Sequence, residues 1–380
     1  MRDLPRLKIG NEKGSYMPKW IEDRYVHILL MGKSGTGKST LITNWFQEDD
    51  YWKNAKIIID PSGFLAGDCY AIAKRGGAEK NGVHYLSLDH PISINPMMAP
   101  YTPAQVSESI AEAVNQVITI TTPNQPFTVG MRDISDEAVK WCLSHNRRSL
   151  LHVRDYIAAM KTGRAETRDG ILARLNYILS DEKMVKILCG NKPINIGELI
   201  RNGDTFILDC SGMGREKMIF VGSLVTQAVK NYFRYEKPQI YRPLSLYIDE
   251  CQNFMNPNIF DILKEGRKYK LSCVLSTQDF AVMDERMTRV MLNVGNIVSY
   301  RLGHREASYV AKELAISPND LQFIEKYHVA YLTPKETGVA KAPMPPYVKA
   351  IEPPKMVEPP RKPMKPSWFT LDTPGSYQAA

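Results

Sequence analysis

No stretch of the 380-residue chain approaches the 18 or so uninterrupted apolar residues that carry a helix across a bilayer, so no membrane span is expected. Behind the charged start, MRDLPRLKIGNEKG, there is no apolar segment of the kind a secretory signal needs, which points to the cytoplasm. Cysteine is scarce and scattered: Cys69, Cys142, Cys189, Cys210, Cys251 and Cys273 form no C-x-x-C pair and have no histidine at ligand spacing. That argues against a structural zinc site. Cys210 and Cys273 lie in apolar, strand-like runs, where a free thiol serves as a small hydrophobe in a reducing compartment. There is no internal repeat and no N-K-x-D guanine pattern. Acidic residues are outnumbered 41 to 49 by basic ones, a net charge of +8 that favours a polyanionic partner without specifying one.

What is present begins with MGKSGTGKST, residues 31–40. Gly32, Gly37, Lys38 and Ser39 fit G-x-x-x-x-G-K-[ST], with the apolar run Tyr25 to Leu30 before it and the helix-compatible TLITNWF after it. The pattern reads as strand, loop, helix. Its glycines let backbone N–H groups from Gly32, Lys33, Ser34, Gly35, Thr36, Gly37, Lys38, Ser39 and Thr40 turn inward around phosphate oxygens. A helix starting near Lys38 adds the positive end of its dipole. In such a loop Lys38 reaches the β- and γ-phosphates and Ser39 ligates Mg²⁺.

Further along, AKIIIDPSG (55–63) and GVHYLSLD (82–89) read as two more strands of a mostly parallel sheet, with helices between. From 101 to 200 the pattern turns helical. TPAQVSESIAEAVNQV opens with Thr102 as N-cap, Pro103 at the first helical position and Gln105 completing a capping box. SDEAVKWCLSHN, SLLHVRDYIAAM and RDGILARLNYILSDEKMVKIL continue the helical spacing. Arg147, Arg148, Arg154, Arg164, Arg168 and Arg174 fall here among acidic neighbours, as on a solvated surface. Strand patterns return in DTFILDCSG, LSLYIDE, LSCVLSTQ and GNIVSYRLG, the last taken as the final strand. The expected organisation is an N-terminal extension (1–24), an α/β domain (25–100 and 201–340), an all-helical insertion (101–200) and a Pro-rich tail (341–380). The tail has too little to pack a core and carries Trp368 and Phe369 as candidate docking anchors.

A phosphate loop alone serves a switch, a kinase or a motor, so the later strand ends decide. LYIDE brings an apolar strand to adjacent carboxylates, placing Asp249 near Mg²⁺ and Glu250 where it can polarise an attacking water. STQ sets Gln278 just past a buried strand, suited to orienting water or sensing the γ-phosphate; a capped turn is the plainer alternative. EGRKYKLS leaves Arg267 on a turn before that strand, facing away from its own nucleotide; it is either a surface arginine or a finger supplied to a neighbour.

The ordered set HILLMGKSGTGKST, IIIDPSG, ISINPM, FILDCSG, LYIDECQNF, ILKEGRKYKLSCVLSTQ and NVGNIVSYRLG resembles the HerA/FtsK-type DNA-pumping ATPases. It is most similar to the motor domains of type IV secretion coupling proteins of the TraG/TraD kind and to related viral genome-packaging ATPases. The resemblance covers most of residues 25–335. It implies a RecA-like P-loop NTPase core, ATP and Mg²⁺ as cofactors, and catalytic roles for Glu250, Gln278 and, across a subunit boundary, Arg267, with Arg301 in reserve. It also implies a ring, usually a hexamer, DNA in a central channel held by phosphate contacts, and a docking protein such as a capsid vertex or secretion channel. Coupling proteins usually carry an N-terminal membrane anchor, for which the 24 residues here leave no room. The cytoplasmic placement thus extends to the periphery of a membrane complex or a virion. The competing reading is a nucleotide-controlled regulatory ATPase that acts on protein and needs neither channel nor trans arginine. Small-molecule phosphoryl transfer fits the carboxylate, glutamine and GRK features less well.

Overall fold

The computed structural model describes residues 6–52, 54–75, 82–122, 127–161, 164–238, 241–280, 285–349 and 351–355. Trp368 and Phe369 lie outside them. The chain forms β1 (Leu7–Glu12), β2 (Pro18–Ile21), β3 (Ile28–Met31), β4 (Ala55–Asp60), β5 (Val83–Leu86), β6 (Thr205–Asp209), β7 (Leu244–Ile248), β8 (Leu271–Thr277), β9 (Asn296–Ser299), β10 (His328–Leu332) and β11 (Thr337–Lys341). All eleven make one sheet in the order β2, β1, β11, β10, β9, β3, β8, β7, β4, β6, β5. From β9 to β5 every pairing is parallel, and from β10 to β2 every pairing is antiparallel.

Strands β3, β4, β6, β7 and β8 are buried along their whole length, as parallel strands covered on both faces must be. One face, with Ile28, Leu30, Ile58, Tyr247 and Val274, packs on α1 (Lys38–Trp52) and α2 (Phe64–Arg75). Alternate residues of the same strands, Leu29, Ile57, Leu246, Cys273 and Leu275, face the other layer. That layer begins with the helical segment, α3 (Pro103–Thr121), α4 (Val129–Ser144), α5 (Leu150–Ala159), α6 (Ala165–Ile178), α7 (Glu182–Cys189) and α8 (Ile196–Asn202). It continues in α9 (Arg215–Asn231), α10 (Pro257–Glu265), α11 (Glu285–Leu292), α12 (His304–Val310) and α13 (Pro318–Gln322). The helical segment shares this layer's apolar cluster: Val106, Ile110 and Val114 of α3 join Val221 and Val225 of α9. Thr102 caps α3 with the reciprocal Gln105 bond that makes a capping box, and Asp181 divides the last helical stretch by capping α7 through Met184 N.

Three expectations change. In the N-terminal extension, the described residues 6–24 are part of the core domain: β1 and β2 extend the sheet, burying Leu7, Ile9 and Ile21. The apolar run at 25–30 is not all strand either. Asp23 caps a 3-10 turn over Arg24–Val26, His27 turns the chain at φ 63°, and β3 starts at Ile28. Nor is β9 the last strand. β10 and β11 pair with it and with β1, and the chain after Lys341 crosses back over α1 and α2. There Asn44 Nδ2 donates to Met344 O at 3.1 Å, Arg75 Nη1 to Tyr347 O at 3.0 Å, and Val348 and Ile351 pack on the core. Pairings between the two ends of a chain leave no local periodicity to read.

Candidate nucleotide site

Seven parallel strands, β3 to β9, end at one edge, and a parallel sheet binds ligands beyond the carboxyl ends of its strands. After β3 the chain turns through Gly32–Gly37 into α1, which begins at Lys38. Gly35 (φ 73°) and Gly37 (φ 115°) sit where an L-side chain is strained. A Cβ on Gly32 would come within 2.6 Å of Thr36 Oγ1 and 2.8 Å of Tyr300 Cβ. Tyr300, buried just past β9, thus forms the floor of the loop. The loop is tied to that strand by Tyr300 N donating to Met31 O (2.8 Å) and Lys33 N to Arg301 O (3.0 Å).

Lys38 is buried, and its Nζ donates to the carbonyls of Gly32 (2.7 Å) and Lys33 (3.3 Å). Burial lowers its pKa, while Glu250 and Asp249 pull it back up. Lys33, Ser34, Gly35 and Ser39 are exposed, and Thr36 and Thr40 half so. Thr36 Oγ1 donates to Lys33 O at 2.7 Å and Asn44 to Thr40 O, so the loop's inner carbonyls are held.

Strand β8 separates β3 from β7, which brings the acidic pair to the same edge. Asp249 is 6% exposed, and its Oδ1 is buried without a hydrogen-bond partner. Burial raises its pKa; Ser276 offsets part of this, and Asp60 and Glu250 add to it. An anionic oxygen left unpartnered in a dry position costs stability unless something positive arrives. That carboxylate and the exposed hydroxyl of Ser39 are hard oxygen donors of the kind a divalent cation such as Mg²⁺ takes.

Glu250 adopts the left-handed conformation (φ 43°, ψ 50°), rare for a residue with a side chain and found mostly where a site imposes it. Its carboxylate accepts from Gln252 Nε2 at 2.7 Å and its carbonyl from Asn253 Nδ2 at 3.1 Å. Gln252 Oε1 in turn accepts from Thr277 Oγ1 at 2.8 Å, linking the acid to the end of β8. Gln278, exposed immediately beyond, lines a cleft of ≈ 540 Å³ with Lys33, Ser34, Arg215, Gln252 and Glu306.

Two residues fall elsewhere. Arg267 lies in the turn before β8, 68% exposed and 3.2 Å from Asp23 Oδ2. With β8 seven residues long, about 23 Å of strand separates it from the cleft of its own chain. Arg301 is at the loop's own edge, its backbone on Lys33 and its guanidinium 5.8 Å from the Phe323 ring. That placement does not suit a finger offered to a neighbour. Sequence reasoning missed Gln252, Thr277, Tyr300 and Arg215. The signal for one was available, since DPSG (60–63) and DCSG (209–212) are the same turn twice. In each, Ser N donates to Asp Oδ1 at 2.8 Å before a positive-φ glycine (Gly63 81°, Gly212 75°), and the second turn delivers Arg215 to the cleft.

A glycine loop between strand and helix, facing an acidic strand end across one intervening strand, defines a RecA-like P-loop NTPase fold. Among solved structures the chain is similar to the plasmid coupling protein TrwB in complex with ADP and Mg²⁺, at 16% identity over 92% of each chain and a TM-score of 0.70. The same protein with the non-hydrolysable GTP analogue GDPNP aligns at 15% identity and TM-score 0.71, over 93% of this chain and 92% of that one. VirB4 of Thermoanaerobacter pseudethanolicus follows, at 11% identity and TM-score 0.67, over 91% of this chain and 98% of that one. At such identities the likeness is one of fold. No family model and no curated protein matches the chain.

Proposed function

We propose that the protein is a Mg²⁺-dependent ATPase that works as a ring and drives DNA through the ring's channel. The observation that carries the reading is the acidic pair: a carboxylate with a buried, unpartnered oxygen and a strained glutamate stand one strand away from a phosphate loop. In the nucleotide-bound state Lys38 leaves the carbonyls of Gly32 and Lys33 for the β- and γ-phosphates, which the loop's N–H groups surround. Ser39 and Asp249 would hold Mg²⁺, which would supply positive charge against the phosphates. Glu250, kept in place by Gln252, accepts a proton from the attacking water. Gln278 orients that water, and Arg215 adds positive charge from the same chain. Arg267 acts on the neighbouring subunit's nucleotide in this reading, since it lies too far from its own cleft to act there, and a head-to-tail ring would supply the geometry. The solved coupling protein in complex with ADP and Mg²⁺ supports the choice of cofactors. The DNA, hexameric and docking-protein parts rest on the resemblance in sequence.

Steady-state ATP hydrolysis at low salt, with and without single- and double-stranded DNA, tests this, with Lys38→Ala as the blank and light scattering to follow assembly. DNA-stimulated turnover from a ring is expected. Turnover by an assembled protein that ignores every DNA would sink the translocase reading and leave a regulatory ATPase acting on protein.

A further inference from the structure

Seven arginines lie between residues 101 and 200, and the structure divides them: Arg132 is paired with Glu112 (2.7 Å). Arg154 is paired with Asp155 (2.6 Å), Arg164 with Asp133 (3.5 Å) and Arg168 with Asp169 (2.9 Å). Arg174 bonds to Gly170 O and Thr122. Arg147 and Arg148, by contrast, are exposed on the 145–149 loop between α4 and α5, and among the described residues neither pairs with a carboxylate.

That loop is rigid by construction. Asn146 takes a left-handed turn (φ 56°), Arg147 N donates to Cys142 O at 2.7 Å, and Asn146 Oδ1 accepts from Arg148 Nε at 3.2 Å. Asn95, in the segment that follows β5, anchors the carbonyl of Arg148 at 3.0 Å. Beside the arginines is a column of flat rings. Trp141 stacks on Tyr156 (4.5 Å between centroids) and on the exposed His145 (4.1 Å), with Arg147 at 5.7 Å from the indole. The His145 ring is fixed by its Nδ1, 2.9 Å from Trp141 O. The carboxylates nearby are occupied: Asp136 by Lys140, Glu137 by the Tyr156 hydroxyl and Asp155 by Arg154.

We infer that this loop is a DNA-strand contact of the helical segment, with Arg147 and Arg148 on successive phosphates and His145 as a stacking face for an unpaired base. Two cations without acidic partners next to a supported aromatic column are the elements that sequence-tolerant single-strand binders combine. The inference rests on the proposal that the protein acts on DNA.

The test is fluorescence anisotropy on the full chain with labelled single-stranded and duplex oligonucleotides across a salt series. Arg147→Glu/Arg148→Glu should weaken single-strand binding at least tenfold and reduce the salt slope by about 1.4, the value for two lost phosphate contacts. His145→Ala should cost about fivefold on the single strand and leave duplex binding unchanged. Charge reversal of the ion-paired Arg164 and Arg168 should stay within about twofold. Arg147→Gln/Arg148→Gln stands in if the reversed pair melts early. Wild-type binding matched by the Arg147 and Arg148 variants would overturn the loop assignment and leave the motor reading intact. A wild type that binds no DNA would overturn both.

Discussion

At the edge where the parallel strands begin, Arg24 is 1% exposed and Asp49 0%. The guanidinium reaches both carboxylate oxygens of Asp49 (2.5 and 2.9 Å) and the hydroxyls of Ser272, Ser245 and Tyr247, while Tyr247 also donates to Asp49. Burial works against the arginine's charge, and Asp49 and Tyr247 more than offset it. At the edge where the same strands end, Asp249 is almost as deeply buried and keeps an oxygen with no partner. Both ends hold charge in a dry environment. One is saturated from within the chain and serves as a structural pin, and the other is incomplete until a ligand arrives. Neither burial nor an open hydrogen-bond position alone separates a site from a scaffold, since His27 Nε2 beside the pin is also buried without a partner; what sets Asp249 apart is that its open atom belongs to a carboxylate at the edge where the glycine loop lies.

Removing the site's chemistry should have the largest effect. Glu250→Gln is expected to cut ATP turnover by about 10²–10⁴-fold, the range for a lost general base, with nucleotide binding by fluorescence titration preserved. Turnover within tenfold of wild type would remove Glu250 from that role. Breaking the pin should spare function per folded molecule and cost stability. Asp49→Ala leaves Arg24 buried and unpaired, so urea denaturation should report a loss of about 3–5 kcal/mol.

Titration sharpens the contrast. His27, beside the pin, is held down to about 4 by burial, and its Nδ1 accepts from Cys273 N at 3.1 Å. A depressed histidine means the unfolded chain binds the proton more tightly, so stability should fall as pH drops from 6.5 towards 4. The loss should be up to about 3 kcal/mol more than in His27→Gln. Asp249 has the opposite sign: its raised pKa makes the ionised form a burden on the native state, one that grows as pH rises through the folded value. In Mg²⁺-free buffer near neutrality, Asp249→Asn should therefore melt higher than wild type, and added Mg²⁺ with nucleotide should erase the difference. A lower-melting variant would mean that the oxygen is satisfied after all.

The smallest change belongs to the linkage between them. Gln252→Ala should lower turnover about tenfold by freeing Glu250 from Thr277, with little change in melting. Full activity would show that the left-handed backbone holds the glutamate unaided.

Much of the α/β core was legible because its signals are local. The glycine loop, the strand ending in Asp249 and Glu250, and the Thr102 capping box each occupy fewer than a dozen consecutive residues, and each stands where its spacing predicts. Tyr300 could not be read as the floor of the glycine loop, because β9 reaches β3 from the far end of the chain. Gln252 looked like one of several polar residues after a strand, and only the packing of β8 against β7 gives it Thr277 as a partner. Among the arginines of the helical segment, Arg154 and Arg168 take the aspartate next in sequence, whereas Arg164 meets Asp133 and Arg174 meets Thr122 only through the packing of the helices.

The amino-acid order by itself determined the phosphate loop, the acidic strand end and the alternation of strand and helix, because backbone freedom at glycine and the period of apolar residues act over a few residues. Tertiary structure alone decided that residues 7–21 and 328–341 finish the sheet, that Tyr300 floors the glycine loop and that Gln252 ties Glu250 to Thr277. It also decided that one buried carboxylate is complete and the other is not. These outcomes depend on distances between segments remote in sequence, which are set only when the whole sheet has closed its hydrogen bonds and both of its faces are covered.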